Sequence, residues 1–156
     1  MAYTDIITLA EAKTYLRIDD TLTEDDAQIT RMIKASLSQI ERATNYILFA
    51  RAKSYVVENL SVNVYDFPIN SLTTPTTATS VEKSIYTTYT TIVSTDLKVT
   101  LNVGYTTPSD VPSDLIEVAF EMIDLMYYSP ETGKSIKSNL SELSKMVLSN
   151  YKRFFI

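Results

Sequence analysis

The sequence predicts an α+β protein, mostly helical: a bundle of about four helices with a small antiparallel β-sheet inserted between the second and third. Three observations predict it. Apolar residues recur at helical spacing before residue 50 and again after residue 112. Between them lies a threonine-rich stretch of alternating and β-branched residues, which suits strands. The length, 156 residues, fits one domain or one domain with an appended arm, and a core of that size needs no disulfide or metal.

Helical punctuation begins at Thr8, which caps a helix while Glu11, three residues on, reaches back to the cap amide. Leu9, Ala12 and Leu16 follow at helical spacing, and the helix stops at Arg17-Ile18-Asp19-Asp20. A second capping box is expected at Thr23-Glu24-Asp25-Asp26, whose acids suit the positive end of a helix dipole. Ile29, Ile33, Leu37, Ile40, Thr44 and Ile47 then form one stripe, with Met32, Ala43 and Leu48 beside it. They predict a long amphipathic helix from about Asp25 to Leu48.

After Arg51 the period shortens to two. Leu60, Val62 and Val64 alternate with Ser61, Asn63 and Tyr65 as in a half-buried strand, which Pro68 stops. Thr73 to Ser80, around Pro75, reads as a loop. Ile85 to Val93 is a strand by its β-branched and aromatic content, and beyond Asp96 a third strand alternates Leu97, Val99, Leu101 and Val103. Three strands with short breaks predict an antiparallel meander.

Gly104 to Pro112 is a linking segment, and Ser109, Asp110 and Ser113 are all plausible caps for the next helix. Leu115, Ile116, Val118, Ala119, Phe120, Met122, Ile123, Leu125 and Met126 cover nearly every face of it. Such a helix is buried on several sides, within its own fold or between subunits. Tyr127 to Pro130 ends it, and Gly133 sits in the following turn. Ile136, Leu140, Leu143, Val147, Tyr151 and Phe154 then mark a last amphipathic helix. The expected organisation is a single domain over residues 1–135, with its β-rich insertion at about 52–103, and a C-terminal helix or docking arm over 136–156.

Composition excludes several chemistries. The chain has no cysteine and no histidine, which removes thiolate nucleophiles, imidazole acid–base catalysis and zinc sites built on those ligands. Its two glycines are far apart, so no phosphate-cradling loop is present. The net charge is −5 and the basic residues read as scattered, a poor basis for gripping a phosphate backbone. No apolar run reaches membrane-spanning length, and the start lacks a signal-peptide pattern. No enzyme activity, cofactor, metal or membrane association is expected.

The acids Asp19, Asp20, Glu24, Asp25 and Asp26 lack the alternate ligand spacing and turn glycine of a calcium loop, and helix stop plus helix cap explains them. Tyr86, Tyr89 and Tyr105 fall on predicted strands, where cross-strand packing outweighs stacking on sugars or bases. At the C-terminus, Lys145, Lys152 and Arg153 accompany Tyr151, Phe154 and Phe155. Basic residues suit the end of a helix, but apolar side chains there suggest docking against either the body or a partner.

Two stretches resemble the phage head–tail connector family, also called adaptor or head-completion proteins. Residues 7–46 carry a short helix ending in Leu-Arg-Ile-Asp, an acidic linker and a long helix closed near Tyr46. Residues 104–131 carry Gly-Tyr, then Pro-Ser-Asp-Val-Pro-Ser-Asp-Leu and an apolar helix running into tyrosine. The ending LSNYKRF is similar to the family's closing Leu-x-x-Tyr-Arg element. The segment from Ala52 to Val103 departs from the pattern, so contacts made there are not carried over.

The resemblance implies a virion structural protein of the neck, made in the bacterial host cytoplasm. It implies a ring of subunits, dodecameric in the family, that joins the portal to a stopper or tail-completion protein while DNA passes through without sequence-specific binding. An acidic chain suits a channel in which DNA slides. The C-terminal helix is the candidate partner-binding element, through Leu140, Leu143, Val147, Tyr151, Arg153, Phe154 and Phe155, with the portal as its expected partner. Truncation after Ser138 is expected to leave the monomer folded. The alternatives are a tail-side neck or tail-completion ring protein and, more remotely, a small carbohydrate-binding or hydrolase domain built on the β insertion, which would need a cleft with convergent carboxylates.

Overall fold

Helix signals in this chain are local, and the computed structural model, which describes residues 2–74, 79–82, 89–128 and 139–152, bears most of them out. A short helix α1 (Tyr3–Ile6) leads into α2 (Leu9–Leu16). Thr8 accepts from the Glu11 amide at 3.2 Å while the Glu11 carboxylate accepts from the Thr8 amide at 2.7 Å, the reciprocal cap the sequence predicts. Arg17 closes α2 in the left-handed region, φ 59°.

The long helix α3 runs Asp26–Thr44, and its ends differ from expectation. No capping box forms at Thr23, because the acids there are drawn into tertiary contacts. Asp26 pairs with Lys13 of α2 at 2.5 Å, and Asp25 accepts from the Tyr127 hydroxyl at 2.7 Å. At the other end Asn45, φ 61°, turns the chain three residues early, so Ile47 and Leu48 reach the core from outside the helix.

Among the described residues six strands follow: β1 (Arg51–Val56), β2 (Ser61–Val64), β3 (Ile69–Thr74), β4 (Thr79–Glu82), β5 (Thr90–Val93) and β6 (Lys98–Val103). They make two antiparallel three-stranded sheets, ordered β1-β6-β3 and β2-β5-β4, rather than one meander. Neither order is sequential, and apart from β4 and β5 the neighbours come from distant parts of the insertion. Leu60 lies outside β2 because Asn59 and Leu60 turn the chain at φ 52° and 65°. β3 was hidden by Pro68: pairing resumes directly after it, and the predicted loop at 73–80 instead closes β3 and opens β4. Residues 75–78 and 83–88, including Tyr86, lie outside the described residues.

A short 3-10 turn (Pro108–Asp110) precedes α4 (Ser113–Tyr128), and α5 (Glu142–Tyr151) packs against α3 and α4. The bundle core joins Ile29, Ile33, Leu37 and Ile40 of α3 to Leu115, Val118, Met122 and Ile123 of α4, with Ala12, Leu16, Leu140 and Leu148 closing it. A second core lies in the insertion, where Val57, Val64 and Ile92 meet Val99, Leu101 and Val103. The helix predicted to be apolar all round is buried along one face and half-buried on its flanks.

Candidate interaction surfaces

The two cores meet at one junction, built from the segment between α3 and β1. Ile47 donates to the Phe67 carbonyl at 2.7 Å and accepts from Tyr105 at 3.2 Å, while Ala50 donates to the Tyr105 carbonyl at 2.8 Å. Glu41, buried at the end of α3, anchors it. Its carboxylate accepts from Tyr3 Oη and the Leu48 amide, each at 2.7 Å, and takes a bidentate pair from Arg51 at 2.8 and 3.2 Å. The Arg51 guanidinium also lies 4.8 Å over the Phe49 ring. In the insertion, Asp66 pairs with Lys53 at 2.6 Å and accepts from the Tyr55 hydroxyl, whose pKa is raised by burial first and by that carboxylate second.

An aromatic cluster covers one side of this junction. Tyr46 packs on Phe67 at 5.0 Å and edge-on to Tyr151 at 5.1 Å. Tyr105 sits beside Tyr46 and Tyr151, and burial pushes its hydroxyl up to about 12. It follows β6 rather than lying on a strand. Tyr89 packs on Tyr65 at 5.4 Å just before β5, as the cross-strand reading expects.

The C-terminal candidates divide between core and surface. Leu140 is only 2% exposed and belongs to the bundle core; Val147 and Tyr151 are half-buried against it. Tyr151 also donates to Asp114 at 3.0 Å. Leu143 points outward at 66% exposure, joined by Met146 at 54%, which the sequence reading missed. Arg153, Phe154 and Phe155 lie outside the described residues. Leu148, also missed, is buried with Ser144. The buried line is thus Leu140, Ser144 and Leu148, and a serine in it masked the register. Since Leu140 and Leu148 are core residues, truncation after Ser138 would remove part of the monomer's own packing.

Further faces emerge only in three dimensions. Val56, Leu60, Val93 and Leu97 are exposed together at the far end of the insertion, Leu97 at 84%. There Val57 donates to the Leu97 carbonyl and Ser94 to that of Leu60, both at 3.0 Å. Arg31, Lys34 and Arg42 lie exposed along the outside of α3, so the cations are not as scattered as composition suggested. Of the acids before α3, Asp19 accepts from Thr21, and Lys13 also donates to the backbone carbonyls of Asp20 and Leu22. Among the described residues no group of acids is arranged to hold a metal ion, and no helix is long and apolar enough to cross a membrane.

The structure is a small helical bundle with a stitched β insertion and several separate exposed faces. Residues 6–96 match the family of phage gp6-like head-tail connector proteins, and the chain belongs to that family. It is a connector component of a phage particle, as the Leu-Arg-Ile-Asp element and long helix had suggested. No curated protein matches the sequence. Among solved structures the fold is shared with a chain of the virion of a native gene transfer agent particle: TM-score 0.74, 16% identity, 100% of this chain and 94% of that one. It is shared equally with chains from the neck of the empty particle, computed with C6 symmetry (TM-score 0.72, 16% identity, 99% and 92% covered), and from the neck of the native particle, computed with C12 symmetry (0.72, 14%, 99% and 92%).

Proposed function

We propose that the chain is one subunit of a ring that joins the portal to the tail in the virion neck and surrounds the DNA channel. The observation that carries this reading is the family match over residues 6–96. The ring is supported by the fold shared with chains from necks of sixfold and twelvefold symmetry, the latter agreeing with a dodecamer. The role is geometric, not enzymatic. A net charge of −5 suits a wall along which DNA slides without sequence-specific contact.

Within this reading α5 and the residues after it contact the portal. Leu143 and Met146 supply the outward apolar face, with Arg153, Phe154 and Phe155 continuing the same segment. A stopper or tail-completion protein occupies the other end of the ring. Electron microscopy of the protein mixed with the portal protein of the same phage tests the whole. A ring of added density at the narrow end of the portal is the expected result. Absence of any association at micromolar concentration would move the assignment to a tail-side ring.

A further inference from the structure

We propose that the ring closes by charge: the outer face of α3 in one subunit docks against the outer face of α4 in the next copy. The proposal rests on the ring reading and adds to it the two surfaces and their polarity.

Arg31, Ala35, Ser38 and Arg42 recur at three- and four-residue spacing on the side of α3 away from Ile29, Ile33, Leu37 and Ile40, and Lys34 flanks them. All three cations are exposed, and none is in an ion pair with another described residue; the salt bridges there join Lys13–Asp26, Arg51–Glu41, Lys53–Asp66 and Lys145–Glu142. The acids of this helix are turned elsewhere, Asp26 to Lys13 and Glu41 to Arg51. A chain of net charge −5 therefore presents one uniformly basic helix face.

α4 carries the opposite sign. Glu117 and Asp124 lie on the side away from Leu115, Val118, Ala119, Met122 and Ile123, beside Glu121, whose carboxylate is taken up by Ser141 and Ser144. Glu117 is exposed, and neither it nor Asp124 is in a salt bridge with a described residue. These acids surround an aromatic pair: Tyr15 of α2 stacks on Phe120 at 4.9 Å and 16°, with Tyr15 still 44% exposed. Carboxylates beside an aromatic face, Glu117 exposed and Asp124 part-buried, are what a guanidinium binds best, through paired hydrogen bonds and stacking together.

Because α3 and α4 bury their inner faces against each other, their outer faces point away from one another. A ring needs this arrangement. Its contacts are heterologous, two unlike faces on different sides of each subunit, and with twelve members successive copies turn little enough that the faces lie on nearly opposite sides. Two acidic faces, or two basic ones, would repel; basic against acidic fixes the order and direction of the ring.

The test uses full-length protein on its portal, with two charge-reversed variants, Arg31→Glu with Arg42→Glu, and Glu117→Lys with Asp124→Lys. All four positions avoid the core, so both variants should retain the wild-type helical signal and melting temperature. Each alone should lose ring formation by at least about tenfold, since like charges then face each other around the ring. Mixed in equal amounts they should assemble again, because alternating copies restore every contact in a ring of even number. If wild-type protein forms no ring on the portal, the portal-side ring reading falls and takes this contact with it. If wild type forms rings and each variant does so alone, the contact is wrong and the ring stands. Failure of the mixture to assemble overturns it equally.

Discussion

At the scale of single residues, two positions hold the junction, and neither has chemistry to perform. Gly104 adopts φ +105°, and a Cβ there would lie 2.3 Å from the Phe49 carbonyl oxygen and 2.8 Å from Ile47 Cγ2. Its amide donates to the Pro68 carbonyl at 2.8 Å, and its carbonyl accepts from Asn70 at 2.5 Å. Three chain segments therefore meet at a point with no room for a side chain. Gly104→Ala should cost at least about 2 kcal/mol, combining backbone strain with displacement of the Phe49 peptide, as read from urea unfolding. A loss below about 0.5 kcal/mol would show that the junction yields easily. Glu41 binds by charge where Gly104 binds by shape. Removing it strands the part-buried Arg51 guanidinium and leaves the Leu48 amide without its acceptor. Glu41→Ala should destabilise by about 2–4 kcal/mol in the same assay, with Glu41→Gln intermediate because it keeps one acceptor oxygen.

At the scale of elements, the start of α5 is tied to the bundle by one side chain of α4. Glu121 accepts from the Ser141 amide at 2.5 Å, the Ser141 hydroxyl at 2.9 Å and the Ser144 hydroxyl, joining the start of α5 to its neighbour. Partial burial alone would raise its pKa, but the hydrogen bonds from Ser144 and Ser141 outweigh it and hold the carboxyl below its usual range. A folded value below the unfolded one, about 4.3, means stability that is present above that pH and lost as pH falls through the folded value. Glu121→Gln should therefore be less stable than wild type by about 1 kcal/mol near neutrality, and the gap should close at acid pH. A gap unchanged down to about pH 3 would remove Glu121 from the acid transition. The outward side of α5 makes the complementary case. Leu143→Asp should leave the melting temperature within about a degree, because the residue is exposed, while weakening portal association; unchanged association would separate this helix from the portal. The elements themselves were legible where the signal is local. The Thr8–Glu11 cap and the α3 and α4 stripes depend on neighbours three and four residues apart. The strand order was not, because β6 pairs with β1 and β3, and β5 with β2, partners chosen by a core that no short window contains. The Thr23–Asp26 capping box failed for the same reason: Lys13 and Tyr127, distant in sequence, take up Asp26 and Asp25.

At the scale of the whole molecule, what the sequence conveyed was the kind of protein rather than its working surfaces. Motif order in residues 7–46 and 104–131 carried the connector resemblance, whereas net charge concealed a basic face on α3 and an acidic one on α4, since a sum has no direction. Exposed Leu143 and buried Leu140 likewise shared one predicted stripe, and only packing separates them. The same packing decides whether bundle and insertion behave as one body. Each has its own core, yet the chain between α3 and β1 belongs to both: Leu48 enters the bundle core and Ile47 that of the insertion, while Glu41 reaches across to Arg51 at the start of β1. Opening either unit would strand the backbone pairs at Phe67, Gly104 and Tyr105, so a partly unfolded state keeps little of the junction energy. The expectation is one cooperative transition. Native-state hydrogen exchange should give the slowest amides of α3 and β6 opening free energies equal to within about 1 kcal/mol, and Gly104→Ala should lower both together. If β6 exchanged through an opening that left α3 protected, the insertion would be an independent unit hung on the bundle. The charged faces of α3 and α4 could then meet in a ring without fixing where the insertion points.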